Sequence, residues 1–227
     1  MHAVERKRVR PPSFYINFEK RLINNKTMKY EIARLLFKTK EVVILDTKNY
    51  IEVQPGIMSP MIINIKNTLK DLEVRRRLAG ELAKRVSPES ICICGIESGG
   101  SYYAAAVADI LKKPLILYRK EPKTYGIGGH FVGSLPKIKG GLVTMIDDIL
   151  AGGMISTVNN KALSRQGYRS ELVVVFSYLP KLVGPMARVR ISPLTDINAL
   201  CETGLESKVF NKNDVKIIRK ECIWSNK

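Results

Sequence analysis

A chain of 227 residues, 45% hydrophobic and 26% charged, is long enough to bury one sizeable core and is most economically read as one domain with appendages. Its formal charge of +17 sets up a positive field that attracts polyanions, whether nucleic acid or phosphorylated small molecules. No apolar run reaches the roughly 18 residues of a membrane-spanning helix, and the basic start lacks the apolar stretch and cleavage site of a secretory signal. The expected location is therefore cytoplasmic.

Residues 1–27 form a basic N-terminal extension, the first 29 residues carrying eight Lys/Arg against two Glu. They read either as a nucleic-acid-binding arm or as a solvated tail on a protein with phosphorylated substrates; no zinc-finger spacing and no RNP-type aromatic motif accompanies them. "MKYEIARLLFKTK" (28–40) places Ile32, Leu35, Leu36 and Thr39 at helical spacing. An extended, turn-rich stretch follows, "VVILDTKNYIEVQPGIMSPMIINIKN". A second helix is predicted over 69–86, with Leu72, Val74, Leu78, Leu82 and Val86 on its apolar face.

After Pro88 the alternation becomes regular. "ICICGI" reads as a strand, "SYYAAAVADILKK" as a helix, "PLILYRK" as a strand, then a Gly-rich loop, "GGLVTMIDDI" as a strand, "ISTVNNKALSRQG" as a helix and "ELVVVFSYL" as a strand. Short apolar runs alternating with helices describe an α/β fold with a mostly parallel central sheet flanked by helices. Four cysteines, at 92, 94, 201 and 222, are too few and too irregularly spaced for a disulfide framework. Cys92 and Cys94 share one face of a strand and are expected to be buried, inert thiols.

In such sheets ligands bind beyond the carboxyl ends of the strands. Asp147 and Asp148 fall at such an end, and Gly152 and Gly153 form the turn into the next helix. Backbone N–H groups at a helix start attract an anion, and glycine lets a phosphate approach closely. The two acids repel a phosphate but suit hydroxyl groups or a cation. Together the features fit a sugar phosphate.

"LVTMIDDILAGGMIS" resembles the phosphoribosyl-pyrophosphate (PRPP) signature of the type I phosphoribosyltransferases. Three further segments narrow the resemblance to the orotate phosphoribosyltransferases: "LYRKEPKTYGIGGHFVG" (117–133) is similar to that family's mobile catalytic loop, "IEVQPGIMSPMIINIK" (51–66) to its N-terminal segment, and "GIESGGSYYAAAVA" (95–108) to its diphosphate loop and following helix. "PLTDINALCETG" is similar to its closing helix. The match keeps its order from about residue 28 to about 220.

The resemblance implies a single phosphoribosyltransferase domain over 28–227, with an N-terminal hood at 28–68, a PRPP-binding core at 69–190 and a C-terminal helical segment at 191–227. It implies that Asp147 and Asp148 hold the ribose hydroxyls, and that Ile149, Leu150, Ala151, Gly152, Gly153, Met154, Ile155 and Ser156 make the 5′-phosphate loop. Glu97, Ser98, Gly99 and Gly100 form the turn beside the diphosphate. Arg119, Lys120 and Lys123 neutralise that group, Lys123 arriving from a neighbouring subunit of a homodimer. Catalytic roles fall on Lys123, Asp147, Asp148 and the residue at 125. Mg2+ is expected with PRPP and orotate, and no set of side chains is expected to ligate metal by itself.

The sequence also departs from the family pattern. Ala151 and Met154 stand where the phosphate loop carries threonines, with Ser156 and Thr157 slightly further on. Tyr125 replaces the loop histidine, and a phenol does not titrate near neutrality; His130 lies five residues along. Gln54 occupies the position of a PRPP-binding lysine. The arginine that grips orotate's carboxylate is missing, leaving Lys181 as a cation without bidentate geometry. Three functions stay open: an orotate phosphoribosyltransferase, a phosphoribosyltransferase for another base, or a PRPP-sensing or nucleic-acid-binding relative without catalysis.

Overall fold

The computed structural model describes residues 27–54, 56–124, 129–151, 154–179 and 189–222, with the backbone alone at Gln54, Lys123 and 154–156. The basic extension before residue 27, Tyr125 and Lys181 lie outside these residues. The chain opens with α1 (residues 27–38), whose Ile32 and Leu36 are completely buried, as their spacing predicts. The turn-rich stretch becomes two small antiparallel pairs: β1 (Val43–Leu45) with β4 (Met61–Ile63), and β2 (Ile51–Gln54) with β3 (Ile57–Ser59).

The helix predicted over 69–86 divides. Ile65–Lys70 form a 3-10 helix and Leu72–Ala83 form α2. Asp71 makes the break: its carboxylate accepts from the backbone N–H groups of Glu73 at 3.0 Å and Val74 at 3.1 Å, capping α2.

The remaining elements follow the predicted alternation: β5 (Ser90–Ile96), α3 (Gly99–Leu111), β6 (Leu115–Lys123), β7 (Gly129–Val132), β8 (Leu142–Leu150), α4 (Met154–Arg165), β9 (Arg169–Ser177), β10 (Arg190–Asp196), α5 (Ile197–Glu206) and α6 (Lys212–Glu221). The sheet runs β10-β9-β8-β5-β6-β7, parallel except for β7, which returns antiparallel along β6. Part of the Gly-rich loop is thus an added edge strand.

One boundary needs correction. A helical segment is expected from residue 191, yet 190–196 form β10, and helix begins only at Ile197. Pro193 argues against a strand in the sequence because it has no N–H for a ladder. β10 is an edge strand, where that missing donor is tolerated.

Strand alternation sorts the core into two layers. Cys92, Cys94, Val143, Met145, Leu172 and Val174 pack with Leu163 of α4 on one face. Ile93, Ile146, Val173 and Val175 face α1, α2, α3, α5 and α6 on the other. All four cysteines are free and buried. Burial pushes the Cys92 thiol up to about 11 and the Cys94 thiol up to about 12, so neither is a nucleophile at neutral pH.

Candidate active site

Register brings three loops to one edge. Gly95 of β5 lies opposite both Leu117 of β6 and Ile146 of β8. The residues just beyond, Glu97–Ser98, Arg119–Lys120 and Asp147–Asp148, therefore share the carboxyl end of the sheet.

The acids meet the turn into α3 almost without clearance. A Cβ on Gly99 would lie 2.1 Å from the Asp148 carboxyl carbon, and one on Gly100 would lie 2.2 Å from the Ile146 carbonyl oxygen. Only glycine lets the first turn of α3 press against the end of β8, so the pair sets the position of the acids as well as the shape of the turn. Ser98 is exposed beside them, and the Glu97–Ser98 peptide is cis.

The Asp148 backbone N–H donates to Asp147 Oδ1 at 2.9 Å, joining the two acids. Burial pushes the Asp147 carboxyl well above the usual carboxylate range, and the charge of Asp148 pushes the same way. A site that raises a carboxyl in this manner is set up to receive hydroxyl protons or positive charge. Behind it, burial and the Asp148 charge help push the Tyr103 phenol up to about 12, and its hydroxyl pairs closely with Thr68 of the 3-10 helix.

The cationic flank starts on β6. Arg119 Nε stands 3.8 Å from Glu97 Oε1, while the Glu97 backbone N–H donates to the Tyr118 carbonyl at 2.9 Å. Lys120 is exposed beside Arg119. His130, on β7, lies 3.0 Å through Nδ1 from the Arg119 carbonyl oxygen, and its ring stacks on Tyr118 with centroids 5.2 Å apart. That contact holds the backbone from which Arg119 projects. The backbone of Lys123 pairs with Gly129, at the point where β6 and β7 leave the sheet.

Of the eight residues expected in the phosphate loop, Ile149 and Leu150 are still strand. Leu150 buries its side chain in the α4-side core, and its carbonyl accepts the Tyr178 N–H at 2.9 Å. Ala151 is partly buried at the loop's start and Met154 opens α4; Gly152 and Gly153 lie outside the described residues.

The N-terminal segment expected to form the hood is tied to this edge. Ile63 of β4 donates its N–H to the Tyr178 hydroxyl at 3.1 Å, just past β9, and the 3-10 helix packs on the end of β8. Lys66, exposed on that helix, acts on Asp147 and draws its carboxyl pKa down against the other influences. Sequence reasoning passed over Lys66, because a lysine in a polar turn carries no motif and its proximity arises from packing alone.

No protein-family model matches the chain. The orotate phosphoribosyltransferase of Bacillus subtilis is 30% identical over 199 residues, covering 85% of this chain and 91% of that protein. The chain belongs to the orotate phosphoribosyltransferase family. Its fold is that of the type I phosphoribosyltransferases, matching the orotate phosphoribosyltransferase from Aeropyrum pernix with a TM-score of 0.64 at 22% identity, over 79% of this chain and 99% of that one. UMP synthase of Leishmania donovani gives a TM-score of 0.66 at 20% identity, over 85% of this chain but 41% of that longer one.

Proposed function

We propose that this family member is a pentosyltransferase that moves the 5-phosphoribosyl group of PRPP to orotate, releasing diphosphate and forming orotidine 5′-phosphate for pyrimidine synthesis. The observation that carries the reading is the acid pair of β8, held against the Gly99–Gly100 turn at the carboxyl edge of the sheet. In this reading Asp147 and Asp148 accept hydrogen bonds from the ribose hydroxyls and orient C1. The start of α4 receives the 5′-phosphate with backbone N–H groups, which do not need the absent threonines. Arg119, Lys120 and Lys123 stabilise charge on the departing diphosphate, while orotate N1 attacks an oxocarbenium-like C1. A loop closing over the site keeps water from the activated sugar.

Magnesium fits the donor set. Among the described residues no three His, Cys, Asp or Glu side chains converge on one point. Carboxylate oxygens are the hard donors this ion takes in ones and twos alongside substrate oxygens, and positive charge offsets the burial and the repulsion that raise Asp147. Asp147 and Asp148 would hold it jointly with the substrate, and when bound it supplies neutralisation of the diphosphate.

We place the enzyme in the cytoplasm as a homodimer whose sites each borrow Lys123 from the partner. Among the described residues no helix is long and apolar enough to cross a membrane. Purified protein given PRPP, magnesium and separate bases should release diphosphate with orotate and not with adenine, guanine or uracil. Release with another base, or with none, overturns the orotate reading. Mixing Lys123→Ala with Asp148→Asn protein tests the shared site. Random pairing makes about half of the dimers mixed, each with one intact site, so roughly a quarter of wild-type activity should return. With subunit exchange verified, no recovery means that each loop serves its own chain.

A further inference from the structure

The register of β6 and β7 breaks beside the cations. Leu117 pairs with Val132 and Tyr118 with Phe131, but the next pair is Lys123 with Gly129. Residues 119–122 of β6 are therefore set against the single residue His130, in a bulge that holds Arg119, Lys120, Glu121 and Pro122. A bulge bends its strand and re-aims the side chains it carries. It also interrupts the ladder that fixes a strand, and Pro122 has no N–H to contribute.

His130 ties this bulge down with its side chain. Nδ1 lies 3.0 Å from the Arg119 carbonyl oxygen, and because a carbonyl only accepts, Nδ1 carries the proton and donates. The imidazole lies parallel to the Tyr118 ring, with 6° between the planes and 5.2 Å between centroids, and Phe131 meets the same ring edge-on at 5.3 Å. Tyr118 is 1% exposed and packs in the core on the α4 side of the sheet. The imidazole thus joins a ring fixed in the core to the carbonyl at which the bulge opens. From that same residue the Arg119 side chain extends to the turn before α3, its Nε 3.8 Å from Glu97 Oε1.

Resting on the phosphoribosyl-transfer reading above, we propose that His130 is a positioning residue for the diphosphate, fixing the bulge in the shape that turns Arg119 and Lys120 toward the leaving group. It acts through the backbone of Arg119 and needs no contact with the substrate. Charge-assisted hydrogen bonds to diphosphate oxygens depend on distance and angle, so a bulge free to shift weakens them. The sugar-phosphate end of PRPP rests on β8 and the start of α4 in this reading, and does not depend on His130.

Binding of PRPP, inorganic diphosphate and ribose 5-phosphate would be measured by calorimetry on wild type and three variants. His130→Asn places an amide N–H near the position of Nδ1–H; His130→Leu has nearly the shape of asparagine without a donor; His130→Phe keeps a ring for Tyr118 without a donor. His130→Leu and His130→Phe should weaken diphosphate and PRPP by about tenfold, the worth of one hydrogen bond, and ribose 5-phosphate by less than about twofold. His130→Asn should bind all three within about threefold of wild type. Added to Arg119→Ala, His130→Leu should weaken diphosphate by less than a further threefold or so, because the two changes act on one interaction. Thermal melts confirm that each variant compared is folded, and either donor-less variant suffices. Equal weakening of diphosphate and ribose 5-phosphate, no weakening without the donor, no recovery with asparagine, or a fully additive loss on Arg119→Ala overturns the assignment while leaving PRPP binding by wild type intact. A wild type on which diphosphate and PRPP do not compete removes the phosphoribosyl-transfer reading itself, and this inference with it.

Discussion

Glu171 on β9 and Asp147 on β8 are carboxylates on neighbouring strands, at opposite ends of the same sheet, and their surroundings differ in kind. Glu171 is 2% exposed. Its Oε1 accepts from the Ser87 backbone N–H at 2.8 Å and from the Thr144 hydroxyl at 2.7 Å, and its Oε2 takes the guanidinium of Arg190. Every demand of a buried anion is met by the protein, so the group ties the loop before β5, the strand β8 and the edge strand β10 together. Among the described residues, the backbone donor to Asp147 is the N–H of the adjacent acid, whose charge also acts on it. The first arrangement is complete; under the proposed function the second is completed by the ribose hydroxyls. A buried charge with its partners built in serves structure, while one left short of partners at the carboxyl edge of an α/β sheet serves a ligand.

The contrast can be broken most directly at the functional end. Asp148→Asn should cut turnover by about 100-fold or more, comparable with loss of an oriented catalytic dipole, and move the melting temperature by less than about 2 °C. Rates of diphosphate release and a thermal melt measure both. Undiminished turnover would remove the acid pair from the chemistry.

The structural end should answer in the reverse way. Glu171→Ala removes the acceptor of the half-buried Ser87 N–H and one of two partners of the buried Thr144 hydroxyl, which still reaches Ser90, and so costs about 2 kcal/mol and lowers the melting temperature by roughly 4–8 °C in a chain of this size. The rate per folded molecule should stay at the wild-type level. A stable variant with impaired turnover would mean that the amino end of the sheet contributes to the reaction.

Much of this division is legible in the sequence, and the illegible part has physical causes. The run of β8 and its acids can be read because a buried strand that ends in two charges violates the apolar pattern. The glycines at 99 and 100 can be read as a turn, but their contact with Asp148 and Ile146 comes from a strand more than 40 positions later. Glu171 sits at the start of an apolar run and looks like a solvated strand end; only the assembly of Ser87, Thr144 and Arg190 around it makes it internal. β10 is concealed by Pro193, whose tolerance depends on an edge position that the sequence does not state. Lys66 is concealed for the same reason as Glu171, its neighbours being distant in the chain.

The glycine contact sharpens the comparison by separating position from chemistry. Gly100→Ala meets the backbone carbonyl of Ile146, which cannot swing aside, and should destabilise the protein by about 1–3 kcal/mol. Gly99→Ala meets the Asp148 carboxylate instead. That side chain can rotate away, so the fold should persist while turnover falls by about tenfold, the loss that a misplacement of part of an ångström brings. Equal melting temperatures for the two variants would contradict the contact geometry.

The smallest effect gives the finest test, because its sign differs between the two carboxylates. The Asp147 carboxyl is raised in the folded protein by burial and by Asp148, whereas in the unfolded chain it titrates at about 3.9. Between those two values the folded state holds the extra proton, so stability is fully present below about pH 4 and is lost as pH rises through the folded pKa. Asparagine keeps an oxygen for the Asp148 N–H and carries no charge, and so escapes the loss. Asp147→Asn should then melt about 3 °C higher than wild type near pH 8, the shift that roughly 1 kcal/mol produces here, with the advantage shrinking toward pH 4. Thermal melts across that range decide the matter. A variant less stable than wild type at every pH would place Asp147 with Glu171, as a carboxylate on which the fold depends. A gain confined to high pH identifies a group whose charge is tolerated by the fold for the sake of the ligand it receives.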